Sequence, residues 1–297
     1  MTRCSAASLE RDEPLVATAS VVERFLLIED PGPWGPHVLQ SARLPGPVRA
    51  RLRRAARERG LRTLLIRRPV IPHATRPPEH SRAVFLVDAR QATTHATTVR
   101  DLMELVDLDL AGPSTGSGNG GWAPHPHPIV LVCTHGKHDP CCAELGRPLA
   151  AAVARAHPDL TWEASHIGGD RFAGNLVVLP RGDYFGRLDP TSGPATVERY
   201  LAGDLDLDHH RGRSTQNWVV QAAEAQARHA FGATRIDAFT VTTVTRHEDR
   251  HVVELVVRGE RVTATVAVDH RDPARLTCHA ETDQPAPRYW VELARRD

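Results

Sequence analysis

Lysine is almost absent. Lys137 is the single lysine in a chain of 297 residues whose basic side chains are otherwise arginine. The two cations differ in their contacts, so the bias reads as a coding preference rather than a binding signature. Charge of one sign is missing too: 37 basic side chains face 36 acidic ones, for a net charge of +1. That leaves no bulk attraction to nucleic acid or to a membrane surface. No apolar run approaches the ~20 residues of a membrane span. The opening MTRCSAASLERDEP lacks the apolar centre of a signal peptide, so a cytoplasmic chain is expected. Cysteine is scarce, and five is an odd number, which excludes a complete disulfide framework. In a reducing compartment such cysteines are metal ligands or redox groups rather than structural bridges. No C-x-x-C pair opens a helix, which counts against thiol–disulfide oxidoreductase chemistry. The glycine-rich stretch over 116–121 is followed by no Lys-Ser/Thr, and no strand and helix frame it, so it is not a phosphate loop. Electrons from NAD(P)H would then come through another protein.

With 41% hydrophobic and 25% charged residues, the chain is expected to be soluble and globular, with two or three domains. Apolar runs predict strands over 23–29, 61–66 and 83–87, and helices over 47–59 and 99–108. Pro47 and Gly60 supply the start and stop of the first helix. Its arginines (Arg49, Arg51, Arg53, Arg54, Arg57) read as a solvated face, with an acidic docking partner as the sharper alternative. Residues 111–128, rich in Gly, Ser, Pro and His, read as a linker, and the pair His125 and His127 as part of it. The second half predicts strands over 129–132, 160–164, 175–179 and 184–188, with helices over 142–156 and 195–201. A helix over 217–231 and four period-two strands over 238–245, 251–257, 261–268 and 275–279 follow. The fold class is therefore α/β, of mixed α+β type. It divides into 1–110, the linker 111–128, 129–213, and a C-terminal antiparallel α+β extension, 214–297. Cys4 reads as a solvent-facing or loosely packed thiol, and Cys278 as a packed or inert thiol within a strand rather than a ligand.

The chemistry concentrates in CTHGKHDPCC, Cys133 to Cys142, and in HIGGD, His166 to Asp170. Three cysteines fall in the first stretch, and a histidine, two glycines and an aspartate in the second. Soft thiolates with an imidazole suit zinc or an iron–sulfur cluster. Eight residues separate Cys133 from Cys142, enough for a loop that leaves a strand and returns at a helix start, where thiolate charge is favoured. Three residues separate His166 from Asp170, which can set both on one side of a tight loop. Gly168 and Gly169 would let backbone N–H groups approach bridging sulfides. Cys141, His135 and His138 are alternative ligands. Lys137, with the two histidines, could balance a reduced cluster or contact a donor protein.

These segments, with the Cys-Ser start, TAS, LLIEDPGPWG, LLIRRP, YFGRL and HHRGRS, make the chain resemble the sucrase/ferredoxin-like family over roughly residues 4–213. The resemblance implies the fold of thioredoxin-like 2Fe-2S ferredoxins, and the strand and helix order of each half suits two thioredoxin-like units, the second of ferredoxin type and the first without paired cysteines. In the family's fungal members a 2Fe-2S cluster looks to be held by two cysteines and the histidines of an H-x-G-G-H motif. Carried over, these are Cys133, Cys142 and His166, with Asp170 standing where the second histidine would be. The "sucrase" label finds no carboxylate pair in a glycosidase motif here. The expected function is an electron carrier rather than a stand-alone enzyme. Its partner would be a redox protein, a reductase or an acceptor, with no nucleic acid or membrane involved. A zinc site with the same ligands, a cofactor-less binding module and a thiol–disulfide oxidoreductase are the alternatives.

Overall fold

The computed structural model describes residues 2–70, 81–112 and 121–295. A short helix, α1 (Cys4–Glu10), opens it where no element was expected. β1 (Arg24–Glu29) follows, an apolar run buried at its four central positions. It runs parallel to β2 (Leu61–Arg67) through a crossover helix, α2 (Gly46–Arg59). Pro47 sits in the first turn of α2, and Gly60 stops it in the left-handed region at φ +61°, as proline and glycine do at helix ends. β3 (Arg82–Asp88) pairs antiparallel on the other side of β1, and β4 (Thr93–Val99) and β5 (Ala123–Pro124) continue outward.

The second half repeats this connectivity. β6 (Ile129–Cys133) leads through α3 (Pro140–Ala156) to the parallel strand β7 (Thr161–Ala164). β8 (Leu176–Leu179) and β9 (Asp183–Phe185) add antiparallel on the other side of β6. After α4 (Ser192–Leu201), β10 (His210–Arg213) closes that edge.

The two halves form one ten-stranded sheet, joined where β2 meets β7. That pairing is antiparallel and short: Ile66 faces Ala164 and Arg67 faces Glu163. The two strands touch only at their C-terminal ends. The loops after both parallel pairs are thereby delivered to one place at the middle of the sheet. In open α/β sheets the C-terminal strand ends are where ligands bind.

Side chains alternate across this sheet. Leu26, Ile28 and Leu65 pack with Val48 and Leu52 of α2. Val130, Val132 and Leu176 pack with Leu149 and Val153 of α3 and Val197 of α4. The residues between them (Phe25, Leu27, Leu64, Ile66, Ile129, Leu131, Val177) join in one cluster that spans both halves.

The C-terminal extension has its own core. α5 (Trp218–Phe231) is capped by Asn217 and stopped by Gly232 at φ +58°. It packs Val220, Ala223 and Ala227 against Val253, Leu255, Val262 and Ala264. Those belong to the four-stranded antiparallel sheet of β11 (Phe239–His247), β12 (Arg250–Val257), β13 (Glu260–His270) and β14 (Pro287–Arg295).

Several expectations are corrected. The helix expected over 99–108 is the end of β4 and a 3-10 turn, Leu102–Val106. The threonine-rich TTHATTV suits a pleated strand, and an Asp101–Glu104 capping box holds the turn after it. The expected linker contributes β5, and its residues 113–120 lie outside the described residues. The strand expected over 275–279 is a loop, because alternating YWVEL in β14 takes the place beside β13. Cys278 therefore lies in that loop. Cys4 is not solvent-facing but 3% exposed.

Candidate metal centre

The parallel register of β6 and β7 pairs Cys133 with Ala164, so the CTHGKHDPCC and HIGGD loops leave the sheet side by side. The chain returns from the first loop at Asp139, whose side chain caps α3 by accepting from Cys141 N at 2.9 Å. Cys142 is thereby set in the first turn of α3, facing Cys133. Gly146, one turn further on, lets the helix lie against the strand: a Cβ there would fall 1.9 Å from the Cys133 carbonyl oxygen.

The two loops bring Cys133, Cys142, His166 and Asp170 near one another in two overlapping groups. Ligand atoms of Cys133, Cys142 and His166 lie within 4.8 Å of one another, and so do those of His138, His166 and Asp170. Cys142 Sγ lies 3.1 Å from Asp170 Oδ1. His166 Nδ1 lies 2.8 Å from the same oxygen, yet is buried without the alignment of a hydrogen bond. The His138 ring stacks on His166 at 3.8 Å between centroids, with Nε2 3.8 Å from Asp170 Oδ2. An imidazole nitrogen that is buried and without an aligned partner, beside two thiols and a carboxylate, fits a ligand set for a soft metal centre.

The electrostatics follow from this packing. The hydrogen bond from Cys142 holds the Cys133 thiol well below the usual range against the opposing effect of burial, and His166 adds to it. Cys142, as donor to Cys133 and buried beside that thiolate, is pushed up. Burial acts to lower His166, but Asp170 and the Cys133 thiolate outweigh it and raise the imidazole to about 9. Burial acts to raise Asp170, and His166 outweighs it and holds the carboxyl down.

The HIGGD loop is fixed by its carbonyls. Arg62 donates to the His166 oxygen at 3.1 Å, Ser20 to Ile167 at 3.0 Å, Arg211 to Gly168 at 3.0 Å and Asn175 to Gly169 at 2.7 Å. Both glycines have positive φ, +108° and +81°, and both are crowded. A Cβ on Gly168 would fall 2.2 Å from Ser20 Oγ, and one on Gly169 2.2 Å from Arg211 Nη2. Arg211 is 1% exposed, and burial lowers its guanidinium to about 10. It is a buried cation behind the loop.

Of the alternative ligands, His135 is engaged elsewhere. Its Nε2 lies 2.6 Å from the Gly35 oxygen and its Nδ1 accepts from His166 N at 3.1 Å. Cys141 points away, to Cys4 and Cys278. Lys137 is exposed at the loop tip. Sequence reasoning missed the PGPWG loop as a wall of the site: Trp34 meets the His135 ring edge-on at 5.8 Å, and Pro36 O contacts His138 Nδ1 at 3.1 Å. It also missed Arg211 and Ser20, whose only signals were the HHRGRS and TAS segments. The arginines of α2 remain on a partly solvated face, where Arg51 donates to Leu108 O and Arg54 pairs with Glu58.

A family model described as sucrase/ferredoxin-like matches residues 15–212. A curated relative, "Altered inheritance of mitochondria protein 32" of Kluyveromyces lactis, is 31% identical over 105 residues, which is 32% of each chain. The match thus spans about a third of that relative's length. No solved structure matches the chain.

Proposed function

The chain belongs to the sucrase/ferredoxin-like family, and from that premise we propose that Cys133, Cys142, His166 and Asp170 hold a 2Fe-2S cluster and that the protein is an electron carrier. The observation that carries this reading is the convergence of two thiols, an imidazole and a carboxylate from two loops at the C-terminal strand ends. When bound, such a cluster supplies one-electron exchange.

The chain's own residues set the conditions. Cys133 offers a thiolate, because its neighbours keep it ionised despite burial. The Asp170 carboxylate beside Nδ1 holds a proton on the His166 ring. Ligation must displace that proton, which couples affinity to pH. Gly168 and Gly169 have their carbonyls tied to Arg211 and Asn175, and their N–H groups are the proposed donors to sulfide. Arg211 opposes the negative charge of the Asp170 carboxylate and the Cys133 thiolate. His166 and His138 are about a quarter exposed, and with Lys137 they form the proposed docking face for a redox protein, reductase or acceptor. Among the described residues no helix is long and apolar enough to cross a membrane. A reducing, cytoplasmic setting is proposed with the thiolates.

One observation favours a second reading. Three ligand atoms within 4.8 Å also suit closure around one Zn²⁺ by the same residues. Anaerobic purification, a visible spectrum, and iron and acid-labile sulfide counts separate the two. Two irons and two sulfides per chain, with colour that bleaches on reduction, support the carrier. A colourless chain that takes up no iron after reconstitution overturns it, and zinc lost in Cys133→Ser then identifies the second reading.

A further inference from the structure

The three cysteines outside the Cys133–Cys142 pair come together elsewhere. Cys4 opens α1, Cys141 lies in the first turn of α3, and Cys278 lies in the loop between β13 and β14. Their sulfurs form a nearly equilateral triangle: 3.5 Å from Cys4 to Cys141, 3.4 Å from Cys141 to Cys278 and 3.5 Å from Cys278 to Cys4. Asp139, fully buried, stands beside the triangle with its carboxylate oxygens 3.7 and 3.9 Å from Cys4 Sγ. All four ligand atoms lie within 4.8 Å of one another.

We propose that Cys4, Cys141, Cys278 and Asp139 form a second metal site, separate from the centre at Cys133 and His166, that holds one Zn²⁺ and staples α1 and the C-terminal extension to α3. Cys4 and Cys278 lie outside the residues that the family model matches.

The donor set and its spacing carry the proposal. Zinc binds thiolate sulfur at about 2.3 Å in a tetrahedron, which requires sulfurs roughly 3.8 Å apart. The observed edges need to open by only a few tenths of an ångström. The atoms around the ligands are also placed as in a metal site. Cys4 N donates to Cys278 Sγ at 3.4 Å and Ser5 Oγ to Cys141 Sγ at 3.3 Å. The two Asp139 oxygens accept from Cys141 N at 2.9 Å and Cys278 N at 2.7 Å. Hydrogen bonds of this kind orient ligands.

The charge balance points the same way. A cation within the cluster displaces the three thiol protons and offsets the carboxylate. A disulfide is the poorer solution. The three edges are equal within 0.1 Å, so no pair is singled out, and any bridge would leave a third thiol beside a buried carboxylate. Cys278 is the partly exposed corner, on a groove also lined by Arg3, Arg11 and Pro140, which gives the ion an entry path. The site ties segments 137 residues apart on either side of Cys141, and closing such long loops removes much freedom from the unfolded chain.

The test is metal counting on the full chain by mass spectrometry, after incubation with Zn²⁺ under reducing conditions and desalting. Wild type is expected to keep one zinc from this site. Cys278→Ser and Cys4→Ser should lose it with iron content and visible spectrum unchanged, and Cys133→Ser should keep it. Chelation should lower the melting temperature of wild type and leave that of Cys278→Ser unmoved. Cys278 lies on a loop, so its variant tests the site without removing a core residue. Zinc retained by Cys278→Ser, no zinc in wild type, zinc lost in Cys133→Ser instead, or a disulfide among the three cysteines in a non-reducing peptide map would each overturn the proposal.

Discussion

Asp170 Oδ1 lies 2.8 Å from His166 Nδ1 and 3.1 Å from Cys142 Sγ, so one carboxylate touches both an imidazole and a thiol of the candidate centre. Two tests separate a ligand from a bystander at this position. Asp170→Ala is expected to weaken iron retention by about 10–100-fold, the usual effect of losing a group that supports a metal ligand. Asp170→His sets a second imidazole at the same place. It should retain iron and raise the reduction potential, since imidazole in place of an anionic ligand does so. Iron content after gel filtration and a redox titration of the visible spectrum check both. An Asp170→Ala protein that holds iron as wild type does would remove Asp170 from the centre.

Gly146 fixes how closely α3 approaches β6. A Cβ there would meet the Cys133 carbonyl oxygen at 1.9 Å and its carbon at 3.0 Å. The obstacle is backbone, which cannot swing aside. Gly146→Ala must push the helix off the strand, and overpacking of this kind costs about 1–3 kcal/mol. It also parts Cys133 from Cys142. The expected result is a lower urea midpoint and weaker metal retention together. Gly46→Ala, where nothing lies within 4 Å of the new Cβ, is the control and should change neither. A Gly146→Ala protein of wild-type stability would mean that the helix is not held where its contacts place it.

The elements that build the site were legible because their signals are local. β6 is a continuous apolar run, Pro47 and Gly60 bound α2, and the cysteine and histidine spacings mark the two loops. Long-range facts were not legible. Nothing in CTHGKHDPCC announces that His135 reaches Gly35, 100 residues away, because that contact depends on the β2–β7 junction. β10 escaped notice because HRGR is polar, and its burial rests on Arg211 finding carbonyl partners in Thr18 and Gly168. Cys4 and Cys278 looked inert for the same reason: each is alone in its own segment, and only the fold sets them on Cys141.

His135 is the hinge pin between the halves. Its Nδ1 accepts from His166 N at 3.1 Å, which leaves Nε2 to donate to the Gly35 oxygen at 2.6 Å. The ring is therefore the neutral tautomer protonated at Nε2, and burial lowers its pKa in keeping with that. His135→Ala leaves the part-buried His166 N–H and Gly35 carbonyl without these partners, at about 1 kcal/mol each. Urea denaturation should show the loss, and hydrogen exchange at the His166 amide should accelerate. His135→Gln, which can donate and accept, should recover part of the stability. Equal losses in the two variants would assign the role of His135 to packing against Trp34 rather than to its hydrogen bonds.

Asp183 provides a pH test remote from either metal site. It is 2% exposed, accepts from Tyr200 Oη at 2.8 Å, and lies 3.3 Å from Arg181 Nε and 3.4 Å from His210 Nε2. Burial acts to raise its pKa. His210, then Arg181 and Tyr200, outweigh that and hold the carboxyl far below the usual range. A carboxyl depressed in the folded state contributes stability that is present above its unfolded pKa of about 3.9 and is lost as pH falls through the folded value. Wild type should therefore lose stability progressively below about pH 4. Asp183→Asn should be less stable near neutrality by about 1–3 kcal/mol, because the carboxylate that accepts from Tyr200 and faces Arg181 and His210 is lost. Its stability should also fall less steeply with acid. Urea midpoints of both proteins from neutral pH to pH 2 measure this, and parallel slopes would mean that Asp183 is not the ionised partner that its neighbours imply.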